Sequence, residues 1–135
     1  MKGAALLITA ALAGCASTVT PTTELQAPVV VSNPALLRPS ANAGEVLIKR
    51  DRGMQGGGCN HQLLLDGAPF AELRPGEGVT IYPAAGDHIL GMAPARGLCN
   101  GSTPEIAIHV VRGARLTFRT SVEQSMDVTI KPTAF

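Results

Sequence analysis

The side chains with the widest chemical repertoire sit in a few short stretches of this 135-residue chain. "GMQGGGCNHQ", Gly53 to Gln62, places three glycines before Cys59 and His61; "GLCNG" carries Cys99, "NGSTPE" carries Ser102, and His88 and His109 stand singly. Phosphate cradling, metal binding and thiol redox work are the chemistries such residues could perform. A Walker loop needs a lysine and a Ser or Thr after its glycines, and a dinucleotide fingerprint needs a helix there. Neither follows Gly58. A structural zinc site draws four ligands, usually from paired Cys or His clusters, whereas Cys59 and His61 have no second pair at ligand spacing. Cys-x-x-Cys, Gly-x-Ser-x-Gly and His-Glu-x-x-His do not occur. Asp66, Glu72, Glu77, Asp87 and Glu105 fall near turns or strand ends, where solvated edges account for carboxylates. His61 and His109 lie in strand patterns that suit ordinary histidines. No catalytic residue, metal ligand or cofactor is therefore assigned, and the chain reads as a non-enzyme whose ligand-binding residues are left open.

The elements that would position these residues are strands. From Gly44 onward, short segments alternate apolar and polar between Gly, Pro, Asn and Asp. In "MDVTIK", Met126, Val128 and Ile130 face one way; in "LTFRTSV", Leu116, Phe118, Thr120 and Val122 do so. "EVLIKR", "HQLLLD", "PFAEL", "GVTIY", "DHILGM" and "EIAIHVV" follow the same pattern. Asp66-Gly67 is a hairpin signal because both residues accept positive φ. Pro75-Gly76 suits a type II turn, and Arg112-Gly113 separates two further strands. No helical period appears after residue 44. The expectation is an all-β fold, a single small antiparallel β-sandwich of about seven or eight strands.

Aromatic residues are scarce: Phe70, Tyr82, Phe118 and Phe135, with no tryptophan. The core must be aliphatic. Surfaces that bind sugars or single-stranded nucleic acid stack their ligands on aromatic platforms, so those functions recede.

The amino terminus reads differently. Lys2 precedes an apolar run from Gly3 to Ala13 and then small residues, the pattern of a secretory signal. The run is shorter than the roughly 20 residues a membrane-spanning helix needs. It ends Leu12-Ala13-Gly14-Cys15, which resembles the bacterial lipobox. That resemblance implies cleavage after residue 14, lipidation of Cys15 and attachment to the membrane through acyl chains, each buried CH₂ contributing about 0.8 kcal/mol. Ala16, rather than Asp, after the cysteine implies the periplasmic face of the outer membrane. Eleven Lys and Arg face ten Asp and Glu, and removal of Lys2 leaves ten of each. A neutral mature chain lacks the basic footprint of nucleic-acid binding.

The expected organisation is a signal peptide over 1–14, a lipidated terminus and Pro/Thr/Ser-rich tether over 15–43, and the β-domain over 44–135. As a coil the tether would reach on the order of 30 Å, although its "APVVVSNPALL" portion is apolar enough to dock. With Cys15 assigned to lipid and the chain exported to an oxidising compartment, Cys59 and Cys99 are expected to form a disulfide joining two loops. Closing a loop of about 41 residues stabilises by roughly 4 kcal/mol.

Across residues 44–131 the turns in "VLIKRDRG", "LLLDGAPFAEL", "RPGEGVTIYPAAGDHIL" and "VRGARLTFR" resemble those of small bacterial lipoproteins with uncharacterised β-domains, PEGA-like in pattern. The resemblance implies a fold and carries no catalytic residue. The expected function is a lipid-anchored envelope accessory protein that docks a periplasmic partner through a loop end or a strand edge. The alternative is an inhibitor or immunity lipoprotein directed at a cell-wall-degrading enzyme, using a protruding loop at 50–60 or 93–104.

Overall fold

Alternating strands with one apolar face become stable only when two such faces cover each other. The computed structural model describes residues 17–53, 57–95, 101–123, 125 and 127–135. Nine strands occur among them: β1 (Val30–Val31), β2 (Glu45–Arg50), β3 (Asn60–Leu65), β4 (Ala68–Leu73), β5 (Gly78–Ile81), β6 (Gly86–Ala95), β7 (Glu105–Val110), β8 (Arg115–Val122) and β9 (Val128–Pro132). They form a five-stranded sheet in the order β1-β4-β3-β6-β7 and a four-stranded sheet in the order β5-β2-β8-β9. Neither sheet closes into a barrel. The all-β architecture is as expected, with β1 as an additional strand.

One pairing departs from the antiparallel expectation. β2 and β8 run parallel, with Val46 opposite Leu116, Ile48 opposite Phe118 and Lys49 opposite Arg119. Parallel neighbours require a long connection, and here the chain builds five strands of both sheets between the two. The consequence is directional: β2 and β8 both end at the same end of the sandwich. β3 and β4 are antiparallel to each other, as are β3 and β6, so β3 begins where β4 and β6 end.

The turn chemistry behaves as its residues dictate. Asp66 and Gly67 take φ of 52° and 79°, the two positive values a type I′ hairpin requires. At Pro75-Gly76, Gly76 takes φ 83° and the Glu77 amide donates to the Arg74 carbonyl at 3.0 Å, as a type II turn requires. Pro94 is accommodated inside β6 because β7 pairs only as far as Gly91, leaving that flank of β6 without a ladder.

Between the sheets lies an aliphatic core of Val46, Ile48, Leu63, Leu65, Leu73, Val79, Ile81, Leu90, Met92, Ile108 and Val110, with Phe70 and Phe118 as its aromatic members. Met126, expected to join the β9 face, lies outside the described residues; Val128 and Ile130 pack against the core, partly buried.

The segment read as a tether is not a free spacer from Ser17 onward. Ser17 Oγ donates to the Val122 carbonyl at 2.9 Å. Thr18 and Arg52 exchange backbone hydrogen bonds of 2.7 and 2.9 Å. Gln26 forms a parallel bridge with Glu77, the residue before β5, β1 pairs with β4, and Leu36 and Leu37 pack on the core. The Pro, Thr and Ser content that suggested a coil instead supplies extended backbone whose amides and carbonyls complete the sheet margins. The folded unit therefore begins well before residue 44.

Candidate functional site

Polar side chains gather at the two ends of the sandwich, and they differ in kind. The first end carries the loops that follow β2, β4 and β6. There Lys49, Arg50 and Asp51 are all buried, as are His61, Glu77, Thr20 and Thr120. Their burial follows from the layers on either side. Arg50 points between the sheets, in step with Val46 and Ile48, whereas Lys49 and Asp51 point to the outer face of the four-stranded sheet. The N-terminal segment covers that face, and Lys49 Nζ donates to the Thr20 carbonyl at 3.0 Å.

Arg50 ties three parts of the chain together. Its Nη1 donates to the carbonyls of Cys59 at 2.6 Å and Leu73 at 2.8 Å, so the start of β3 and the end of β4 hang on one guanidinium. Burial pulls its pKa down to about 10, partly offset by the Glu77 carboxylate. It remains a cation at neutral pH. His61 packs beside it, with Nδ1 3.0 Å from Thr120 Oγ1. Burial, reinforced by the Arg50 charge, pushes His61 down to about 3, so its ring stays neutral. Burial also lowers the Lys49 pKa, opposed by Asp51 and reinforced by Arg119. Asp51, its side chain 1% exposed, pairs through Oδ2 with Arg119, while Asp51 Oδ1 and Arg119 Nε find no partner among the described residues.

At the opposite end the polar groups are clamps on turns. His88 Nδ1 lies 2.7 Å from Asp66 Oδ2, and His88 Nε2 lies 2.8 Å from the Ala84 carbonyl. Both partners accept, so both are satisfied only when the imidazole carries two N–H groups and a positive charge. The hydrogen bond to Asp66 accordingly raises the His88 pKa, against some loss from burial, and the same bond lowers that of Asp66. Asp66 Oδ1 also accepts the Ile89 amide at 2.8 Å. One strand further out, His109 Nδ1 meets Asp87 Oδ1 at 2.7 Å with both side chains exposed. These residues, with Ile89, Ala107 and Ile108, line a shallow depression of about 310 Å³.

Several expected site residues can be followed into the structure. Cys59 precedes β3 and is not a free thiol. Cys15 and Cys99 lie outside the described residues. Asn60, the residue after Cys59, pairs with Ala95, four residues before Cys99. Among the described residues, no three His, Cys, Asp or Glu side chains are placed to hold a metal ion, and no helix is long and apolar enough to cross a membrane. The structure brings together groups that the sequence kept apart, Asp66 with His88 and Asp87 with His109. The run Lys49-Arg50-Asp51-Arg52 was the available signal of a charged cluster, because four consecutive charges interrupt the strand alternation.

Compared with family models, with curated proteins and with solved structures, the chain shows no match.

Proposed function

We propose that this protein is a lipid-anchored, non-catalytic component of a bacterial cell envelope, held at the periplasmic face of the outer membrane through Cys15 and docking a protein partner along β7. The observation that carries the docking surface is the contrast among sheet edges. β1 has two residues. β5 is flanked by the N-terminal segment, with the Gly78 amide donating to Gln26 and the Tyr82 amide to Leu36. β9 carries Lys131 and ends in Pro132, both of which discourage strand addition. β7, six residues long, has no proline, lysine or arginine. Beside it Ile89 is 40% and Val111 54% exposed, and the Asp87–His109 pair supplies polar specificity at the rim. An extended peptide added to such an edge gains main-chain hydrogen bonds, with side-chain contacts to select it.

The non-catalytic reading is supported by how the histidines are used. His61 is enclosed and neutral, and both nitrogens of His88 serve the fold. A disulfide between Cys59 and Cys99 belongs to the same proposal, supported by the Asn60–Ala95 pairing and by Cys59 not being a free thiol. Free thiols at both positions in protein isolated without reductant would remove it.

Photocrosslinking in the intact envelope tests the docking surface. A photoreactive residue at His109 or Val111 should give one discrete adduct that Ile89→Lys abolishes, and the same residue at Val30, on the opposite edge of the sheet, should give none. Equal capture from both edges would refute the assignment.

A further inference from the structure

We infer that the end of the sandwich bearing the Cys59 loop rests directly on the phospholipid headgroups, so that β7 and the Asp66-Gly67 hairpin are presented in a fixed orientation. The inference rests on the lipidation of Cys15 proposed above and adds to it a membrane-facing surface.

Very little free chain separates the lipid-bearing residue from the sheet. Cys15 and Ser17 are separated by one residue, Ala16. Two Cα steps span at most about 7 Å. The chain is then fastened to the sheet through three residues, Ser17, Thr18 and Thr20. Ser17 Oγ holds the Val122 carbonyl at 2.9 Å, and Thr18 shares reciprocal hydrogen bonds with Arg52. Thr20, fully buried, donates through Oγ1 to the Arg50 carbonyl at 3.1 Å and accepts from Lys49 Nζ at 3.0 Å. A lipid on Cys15 therefore has no spacer with which to let the domain turn over.

Topology fixes which end is held. Val122 ends β8, and Arg52 follows the end of β2, the strand parallel to it. The surface around Ser17 is thus made by the ends of β2 and β8, by Gly53, and by the turn carrying Glu123, Ser125 and Asp127. The Asp66-Gly67 hairpin lies at the far end of β3, about 20 Å along the strands at 3.3 Å per residue. Charge adds little to this orientation. The mature chain carries ten basic and ten acidic residues, and Arg52 is neutralised by Glu24 at 2.7 Å. Polybasic attraction to anionic lipid needs several unpaired Lys or Arg side chains and weakens with salt. An orientation imposed by the short attachment is insensitive to salt.

The chain contains no tryptophan, which provides the probe. Full-length lipidated protein carrying either Ser125→Trp or Ala68→Trp is reconstituted into phosphatidylethanolamine–phosphatidylglycerol vesicles containing a dansyl headgroup lipid. Over a separation of about 20 Å, energy transfer from position 125 should exceed that from position 68 by at least about threefold. It should be unchanged between low and high salt. A ten-residue Gly-Ser insertion between Ala16 and Ser17, with a coil reach of about 17 Å, should bring the two signals together. Equal transfer without the insertion, in protein that co-sediments with the vesicles, overturns the orientation and leaves the anchor standing. Protein that does not co-sediment at all overturns the anchor and the orientation with it.

Discussion

The two ends of this sandwich use the same residue types to opposite effect. At the loop end, Arg50 and His61 are buried, and burial dominates their titration: both pKa values fall, and His61 is neutral. At the hairpin end, His88 answers to a carboxylate and a carbonyl, and its pKa rises. Desolvation governs one end and hydrogen bonding governs the other. A charged residue in this chain therefore takes its meaning from the layer covering it. The N-terminal segment supplies that layer over Lys49 and Asp51.

The loop end depends most heavily on Arg50. Arg50→Ala removes the donor to the Cys59 and Leu73 carbonyls, and hydrogen bonds to a charged group contribute about 1.5 to 3 kcal/mol each. Chemical denaturation should show that loss. An effect below about 1 kcal/mol would mean that the guanidinium is solvated and that the two ends are alike. Deleting residues 17–43 comes next. A free tether would be dispensable, whereas a docked one carries β1 and the half-buried Leu36 and Leu37, each contributing part of the roughly 1.5 to 3 kcal/mol of a fully buried leucine. A loss on the order of 3 kcal/mol is expected.

Acid sharpens the contrast. The folded pKa of His61, about 3, lies below its ordinary 6.5, so the unfolded chain binds the extra proton first. Its contribution is neutral above about pH 6.5, and stability then falls by up to about 1.4 kcal/mol per pH unit as the pH drops towards 3. His61→Gln, which retains a hydrogen-bonding group near Thr120, should flatten that slope. The hairpin end runs the other way. The raised pKa of His88 gives stability that is fully present below about 6.5 and is lost as pH rises through its folded value. The lowered pKa of Asp66 gives stability present above 3.8 and lost as pH falls through its own folded value. His88→Gln should cost under about 1 kcal/mol, as exposed pairs do, and the difference from the parent should vanish in mildly alkaline solution. A difference that grows with pH would show the imidazole to be neutral in its clamp.

Much of this architecture is written locally. Strand alternation and the Asp66-Gly67 and Pro75-Gly76 turns are short-range features, and β2 through β9 follow from them. What escaped was long-range. Nothing within "EVLIKR" tells that β2 will lie parallel to a strand seventy residues later, or that Thr18 to Thr20 will cover its outer face. Alternation alone puts Lys49 on the polar half of β2, and its burial depends on that distant cover. The Asp–His pairs were hidden for the same reason: Asp66 and His88 are 22 residues apart and meet only through the β3–β6 pairing. The glycines of "GMQGGGCNH" attracted chemical readings, yet the described part of that loop is organised by Arg50, six residues before Gly56 in the chain and facing the core.

The orientation of both ends depends on residue 15 being the lipid-bearing amino terminus proposed above. Mass spectrometry of the amino-terminal peptide from protein extracted from its own membranes tests this directly. The expected result is a peptide beginning at Cys15 and carrying a diacylglyceryl thioether and an amide-linked acyl chain. An unmodified terminus downstream of residue 15, or Cys15 recovered in a disulfide, would contradict it.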